Sequence, residues 1–221
     1  MTRLIIFDMD GTLVDSWPGM EYCYNQTFRE YGREDMTNDE FVSGFVGNLT
    51  ENLRVMLHID GEELERAVRI FREHYRDRGH ALSKPFPGLL DIVRQLHSEG
   101  FRLGISTMML QRYAVDILDE LKIRDCFDIV EGSDITGERS KADMIRNCMV
   151  KTGISNEDTV MIGDGFNDQK AAEKAKVGFI AAAYGYGITV DNCLEYGYEY
   201  AAKPEDVRTA IDTHWTKSTT V

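Results

Sequence analysis

Aspartates recur in this chain where the local sequence passes from apolar to polar, and their spacing has chemical content. Asp8-Met9-Asp10-Gly11-Thr12 follows the apolar run Arg3 to Phe7, and Asp164 and Asp168 follow Val160-Met161-Ile162-Gly163. Thr107 follows Phe101 to Ser106, and Lys141 opens a helical pattern behind Arg139-Ser140. Three or four carboxylates gathered at one place repel one another unless a cation offsets them, and an all-oxygen donor set suits Mg²⁺ rather than Zn²⁺. A divalent ion, a lysine, a hydroxyl and backbone N–H groups at helix starts are the parts that hold and neutralise a phosphoryl group in transfer. In that setting one carboxylate can attack phosphorus, and a second, two residues on, can protonate the leaving oxygen and then deprotonate water. Each piece alone has an ordinary explanation: a turn for D-x-D-G-T or G-D-G-F-N-D, an N-cap for Thr107, a solvated helix position for Lys141. Their occurrence in one order, each after a strand or at a helix start, favours a site.

Such sequence-distant groups meet only if the intervening elements bring them to one edge. After Pro87 the pattern alternates: helix 88–99, strand 101–106, helix 110–121, strand 127–131, helix 141–152, strand 159–163, helix 168–176 and strand 177–182. Alternation of this kind predicts crossover connections, a doubly wound parallel α/β sheet with helices on both faces, and ligands at the carboxyl ends of the strands. From Pro18 to about Gly79 the period is helical throughout, as in Leu64, Ala67/Val68, Phe71 and Tyr75. Ser16-Trp17-Pro18 and Lys84-Pro85-Phe86-Pro87 are stiff connectors on either side, so residues 17–84 read as a helical subdomain inserted into a core of residues 1–16 and 85–221. A last helix is expected from Lys203-Pro204, with a frayed tail after Trp215.

The bulk properties narrow the function. Of the 221 residues, 38 are acidic and 25 basic, giving a net charge of −13, which argues against nucleic acid or an anionic membrane as partner. The apolar run near the N-terminus is too short for a signal peptide or a span, so a cytoplasmic location is expected. Cys23, Cys126, Cys148 and Cys193 lie far apart, without metal-ligand or disulfide spacing. Met108, Met109, Met144, Met149 and Met161 read as core filler.

The segments Phe7-Asp8-Met9-Asp10-Gly11-Thr12-Leu13-Val14-Asp15-Ser16 and Ile162-Gly163-Asp164-Gly165-Phe166-Asn167-Asp168 resemble the haloacid dehalogenase superfamily of hydrolases. The likeness is to its phosphoglycolate phosphatase-like branch, in which a small helical cap is inserted between the first two motifs. The resemblance implies Asp8 as nucleophile, Asp10 as acid/base, Thr107 on the phosphate, and Lys141 steadying the charge on Asp8 and the phosphoryl oxygens. It also implies a Mg²⁺ site of Asp8, the backbone carbonyl of Asp10, Asp164 and Asp168. Thr12, Asn48, Arg54 and Met108 are its candidates for touching substrate, with a specificity loop near Phe45-Val46-Gly47-Asn48. Asn48 and Arg54 read equally as a helix N-cap region and a solvated arginine. The alternating Arg66, Arg69, Arg72, Arg76 and Arg78 with their acidic neighbours read as an ion-paired face.

Two positions depart from that family's usual pattern. Thr107 is followed by Met108 rather than Asn, and the usual Lys-Pro is replaced by Arg139-Ser140-Lys141-Ala142, where Ser140 as N-cap favours Lys141 over Arg139. The resulting expectation is a phosphatase for a small phosphorylated metabolite of the phosphoglycolate kind, monomeric or homodimeric. The alternatives are a β-phosphoglucomutase-like mutase, a pyrophosphatase or nucleotidase, and a binding module without turnover. Asp10 argues against dehalogenation, and residues 17–83 contain no lysine for the Schiff base of a phosphonoacetaldehyde hydrolase. Tyr184-Gly185-Tyr186-Gly187 resembles the family's loop beside the active site, and an ordinary glycine turn has the same pattern.

Overall fold

The computed structural model describes residues 2–37, 48–134 and 139–218. By contact the chain divides into two units, Met1–Asp15 with Lys84–Val221, and Ser16–Ser83.

In chain order the first unit opens with β1 (Leu4–Phe7) and β2 (Val14–Asp15). The second holds α1 (Trp17–Glu30), α2 (Leu49–Leu57) and α3 (Gly61–His74), which runs on into a π-helical turn, Tyr75–Gly79. The chain returns through β3 (Lys84–Pro85), α4 (Leu89–Ser98), β4 (Arg102–Leu110), α5 (Gln111–Glu120) and β5 (Ile129–Ser133). It closes with α6 (Lys141–Thr152), β6 (Thr159–Gly163), α7 (Phe166–Ala175), β7 (Gly178–Ala182), α8 (Val190–Tyr196), β8 (Glu199–Ala201) and α9 (Val207–Ser218).

Six strands form one sheet in the order β5-β4-β1-β6-β7-β8, parallel as the alternating pattern predicts, with β8 an addition to the strands read from it. Covered on both faces, β1 is apolar at every position, and Leu4, Ile5, Ile6 and Phe7 have no exposed surface. Burial of each such side chain contributes roughly 1.5–3 kcal/mol, which anchors the strand that delivers Asp8. On one face Leu4, Ile6 and Met161 pack against Ala142, Ile145 and Cys148 of α6 and Ala171, Ala172 and Ala175 of α7. The sheet order reverses at β1: later strands add first on its β4 side and then on its β6 side. That is the switch point where open α/β sheets leave a crevice beyond the strand ends.

β2 and β3 make a separate antiparallel ribbon, Val14 opposite Pro85 and Asp15 opposite Lys84, at the junction between the two units. In the helical unit, α3 buries Leu64, Ala67, Val68 and Phe71, and the Phe71 ring lies 4.8 Å from that of Tyr24 on α1. Tyr24 is fully buried and its hydroxyl accepts from Asn52 Nδ2 at 3.3 Å.

Several elements differ from the sequence expectation. β4 continues four residues beyond Ser106 because its pairing with β5 is irregular between Thr107 and Leu110, so Thr107 lies within the strand. α7 starts at Phe166, where Asp168 accepts the Gly165 N–H at 2.9 Å and closes the first turn. The last helix, α9, runs past Trp215 to Ser218, with Trp215 itself buried under the Arg3 guanidinium; the rest of the expected frayed tail lies outside the described residues. Met144 and Met161 are core residues, whereas Met108, in the β4 irregularity, is 46% exposed. Among the described residues, no helix is long and apolar enough to cross a membrane, and the four cysteines are unbridged.

Candidate active site

Asp8 is the first residue beyond β1, and its N–H donates to Ile162 O of β6 at 2.9 Å, so the sheet ladder itself fixes its backbone. The chain then turns sharply. Gly11 has φ +72°, and a Cβ there would lie 2.4 Å from Asp164 Oδ2, so this position needs glycine for both backbone and space. Asp164 is the first residue beyond β6, and Asp168 stands in the first turn of α7. Lys141 comes from the first turn of α6, started by Ser140, whose hydroxyl accepts the Asp143 N–H at 3.2 Å.

These four elements converge. Lys141 Nζ is 2.8 Å from Asp8 Oδ2 and also ion-pairs with Asp168 Oδ1. Asp8, Asp164 and Asp168, all buried, each offer a carboxylate oxygen, with the three atoms within 4.8 Å of one another. Arg139, the other cation of that motif, points elsewhere, to Glu131 and the Gly132 carbonyl.

The electrostatics follow from the crowding. Burial above all, and then the charges of Asp168, Asp164 and Asp10, push the Asp8 carboxyl well above its usual value, although Lys141 pulls it down. Asp164 is pushed up to about 6, by burial first and by Asp168 second. Burial disfavours the Lys141 ammonium, but the two carboxylates beside it outweigh that and raise its pKa, so it is charged throughout the neutral range. One ammonium against three carboxylates leaves the cluster short of positive charge. Asp8 Oδ1, fully buried, has no hydrogen-bond partner among the described residues. A buried acceptor left in that state costs about 1–3 kcal/mol unless something cationic or a donor meets it. The donor set is all oxygen and buried, so these three aspartates could hold a hard divalent ion.

The remaining candidates fall in different places. Asp10 follows Asp8 by two residues, and its backbone bridges to Val14. Thr107 is buried, and its Oγ1 accepts the Met109 N–H at 3.1 Å, replacing a ladder partner lost at the β4 irregularity. Thr12 is fully buried, and its hydroxyl donates to Asp164 Oδ1 at 3.4 Å, which makes it a support for Asp164. Asn48 caps α2 in a reciprocal box with Glu51, and Arg54 pairs with Asp60 at 3.5 Å on the surface. Phe45, Val46 and Gly47 lie outside the described residues.

Residues 184–187 do more than turn the chain. Tyr186 N–H donates to Asp164 Oδ2 at 2.8 Å, Ile188 N–H to Asp164 O at 2.6 Å, and Tyr184 Oη to Thr12 O at 2.9 Å. The Tyr186 hydroxyl donates to Asp15 Oδ1 at 2.6 Å. This loop holds Asp164 and the turn after β1 together. Its Tyr-Gly-Tyr-Gly pattern was visible in the sequence, but its partners were not.

Comparison with known proteins agrees with this geometry. The family model described as haloacid dehalogenase-like hydrolase matches residues 5–182. Phosphoglycolate phosphatase 1 of Pseudomonas aeruginosa is 32% identical over 195 residues, which is 84% of this chain and 71% of that protein. A phosphoglycolate phosphatase of Nitrosococcus oceani is 32% identical over 197 residues, 86% of this chain and 87% of the relative. A haloacid dehalogenase-like family hydrolase from Streptococcus pneumoniae superposes with a TM-score of 0.84 at 27% identity, covering 95% of this chain and 98% of that one. With the aspartates of its first and last motifs meeting one lysine at the switch point of the sheet, the chain belongs to the haloacid dehalogenase-like hydrolases.

Proposed function

We propose that this protein is a magnesium-dependent phosphatase that hydrolyses a small phosphorylated metabolite of the phosphoglycolate class through a phosphorylated Asp8. The observation that carries the reading is the pairing of Asp8 Oδ2 with the Lys141 ammonium while the other oxygen of Asp8 is buried with no hydrogen-bond partner among the described residues. The names of the relatives support the substrate class.

In this reading Asp8, the Asp10 carbonyl, Asp164 and Asp168 hold Mg²⁺, which supplies positive charge against the phosphoryl oxygens when bound. The Lys141 ammonium neutralises Asp8, so that an anionic oxygen can approach anionic phosphorus. Thr107, within the adjacent strand β4 and two residues past the partner of Phe7, takes the phosphate. An Asp8 carboxylate oxygen bonds to phosphorus as the ester P–O bond breaks, and the Asp10 carboxyl gives its proton to the departing alkoxide. Asp10, now a carboxylate, takes a proton from water as that water attacks the aspartyl-phosphate. Inorganic phosphate leaves and Asp8 is restored. Exposed Met108 is the proposed contact for the rest of the substrate.

The test is phosphate release, with Mg²⁺ present, from phosphoglycolate, sugar phosphates, nucleotides and pyrophosphate. Asp8→Asn should lower release from the best substrate by about a thousandfold or more. Unchanged release from that variant would remove Asp8 as nucleophile, and a bisphosphate product in place of free phosphate would turn the assignment to a mutase.

A further inference from the structure

Apart from Asp8, Asp164 and Asp168, Glu131 is the one buried acid among the described residues, at 2% exposure, and the phosphatase chemistry does not use it. It lies on the edge strand β5 opposite Ser106 of β4. Its carboxylate collects three donors: the Arg139 guanidinium on Oε2, and Asn147 Nδ2 at 3.2 Å and Lys151 Nζ at 2.9 Å on Oε1. All three come from one stretch of chain, the residue just before the Ser140 cap and two positions along α6.

Burying a carboxylate is costly, and a well-packed apolar side chain commonly serves stability as well or better. What three charge-assisted bonds to one stretch do supply is a fixed place for that stretch. Arg139 stands two residues before Lys141 and also donates to Gly132 O at 3.3 Å, so it is held at two points of β5. From the other side, Ser106 Oγ donates to the Lys141 carbonyl at 3.4 Å. Lys141 must reach Asp8 and Asp168 together, a placement that has to be kept within about 0.5 Å.

We propose that Glu131 is a positioning residue for Lys141, acting through Arg139 to set where α6 begins and hence where the ammonium sits beside Asp8. The proposal rests on Lys141 having the role assigned above.

The experiment compares steady-state phosphate release from phosphoglycolate, at a temperature where every variant is folded, for Glu131→Gln, Arg139→Met, Arg139→Lys, Lys151→Met and Lys141→Met. The glutamine keeps the shape but turns an N–H₂ group toward donors. Glu131→Gln and Arg139→Met should each lower kcat by about 10- to 100-fold with KM changed by less than about twofold, because a displaced catalytic group costs rate rather than binding. Arg139→Lys should recover part of that loss. Lys151→Met removes a donor from the same carboxylate at the far end of the helix, and should lower the unfolding midpoint while kcat stays within about twofold of wild type. Loss of midpoint without loss of kcat in both Glu131→Gln and Arg139→Met would overturn the proposal. If Glu131→Gln does not fold, the Arg139 pair against Lys151→Met decides. Wild-type kcat in Lys141→Met would instead overturn the role of Lys141, which separates the two failures.

Discussion

Replacing Asp164 by asparagine should stabilise the metal-free protein while abolishing its response to magnesium. Burial, reinforced by Asp168, raises the Asp164 carboxyl from 3.8 to about 6, against the opposing Tyr186 N–H and Lys141. A rise of about 2 pH units corresponds to about 3 kcal/mol held against the folded state once the group is ionised. The folded protein binds this proton more tightly than the unfolded chain, so the stability it contributes is whole below about pH 3.8 and is lost as pH rises through about 6. Asparagine keeps the shape and cannot ionise. Its carbonyl can accept the Tyr186 N–H and its amide can donate to the Thr12 hydroxyl, which changes from donor to acceptor, so both contacts of Asp164, at 2.8 and 3.4 Å, survive. In EDTA near pH 8 the variant should gain up to about 3 kcal/mol, a rise of roughly 6–12 °C in unfolding midpoint for a chain of this size, and near pH 4 the two proteins should converge. Magnesium should raise the wild-type midpoint and leave the variant where it was. An unchanged or lower midpoint in EDTA near pH 8 refutes the electrostatic reasoning, and an equal magnesium response takes Asp164 out of the metal site.

EDTA should abolish phosphate release and added Mg²⁺ should restore it; full activity in EDTA would end the role given to the ion. In Gly185→Ala the new Cβ would lie 2.3 Å from Asp164 Cβ and from Gly11 O. The backbone must then yield, at a cost of about 1–3 kcal/mol, and the Mg²⁺ concentration for half-activation should rise, as a metal titration would show. The Glu131 carboxyl is pushed up by burial, but Lys151, Arg139 and Asn147 outweigh that and hold it below 4.5. Its stabilisation is therefore present above about pH 4.5 and lost as pH falls through its lower folded value, so acid unfolding of Glu131→Gln should be the less steep of the two below pH 4.5.

The aspartates were legible because each stands where an apolar run stops, and a parallel sheet gathers such ends at one edge. Lys141 was legible because Ser140 marks a helix start. β8, Glu-Tyr-Ala, is too short to show a period, and its place beside β7 depends on a backbone ladder that leaves no mark on side-chain type. The Tyr186 N–H on Asp164 escaped for the same reason, since every non-proline residue has that donor. Nothing next to Glu131 in the sequence marks its role, because its partners follow 8 to 20 residues later. Thr107 was placed after its strand because the irregular pairing that prolongs β4 has no cue in Ser106-Thr107-Met108-Met109.

The ribbon of β2 and β3 brings Asp15 and Lys84, the last residue before the helical unit and the first after it, into direct register. For the sheet, the whole of Ser16–Ser83 is therefore topologically a hairpin loop. Its length and sequence can drift, or the segment can be exchanged for another, without altering the path of any strand that carries the aspartates. The sheet that carries the aspartates and the helical segment inserted into it are in this way separately mutable within a single chain.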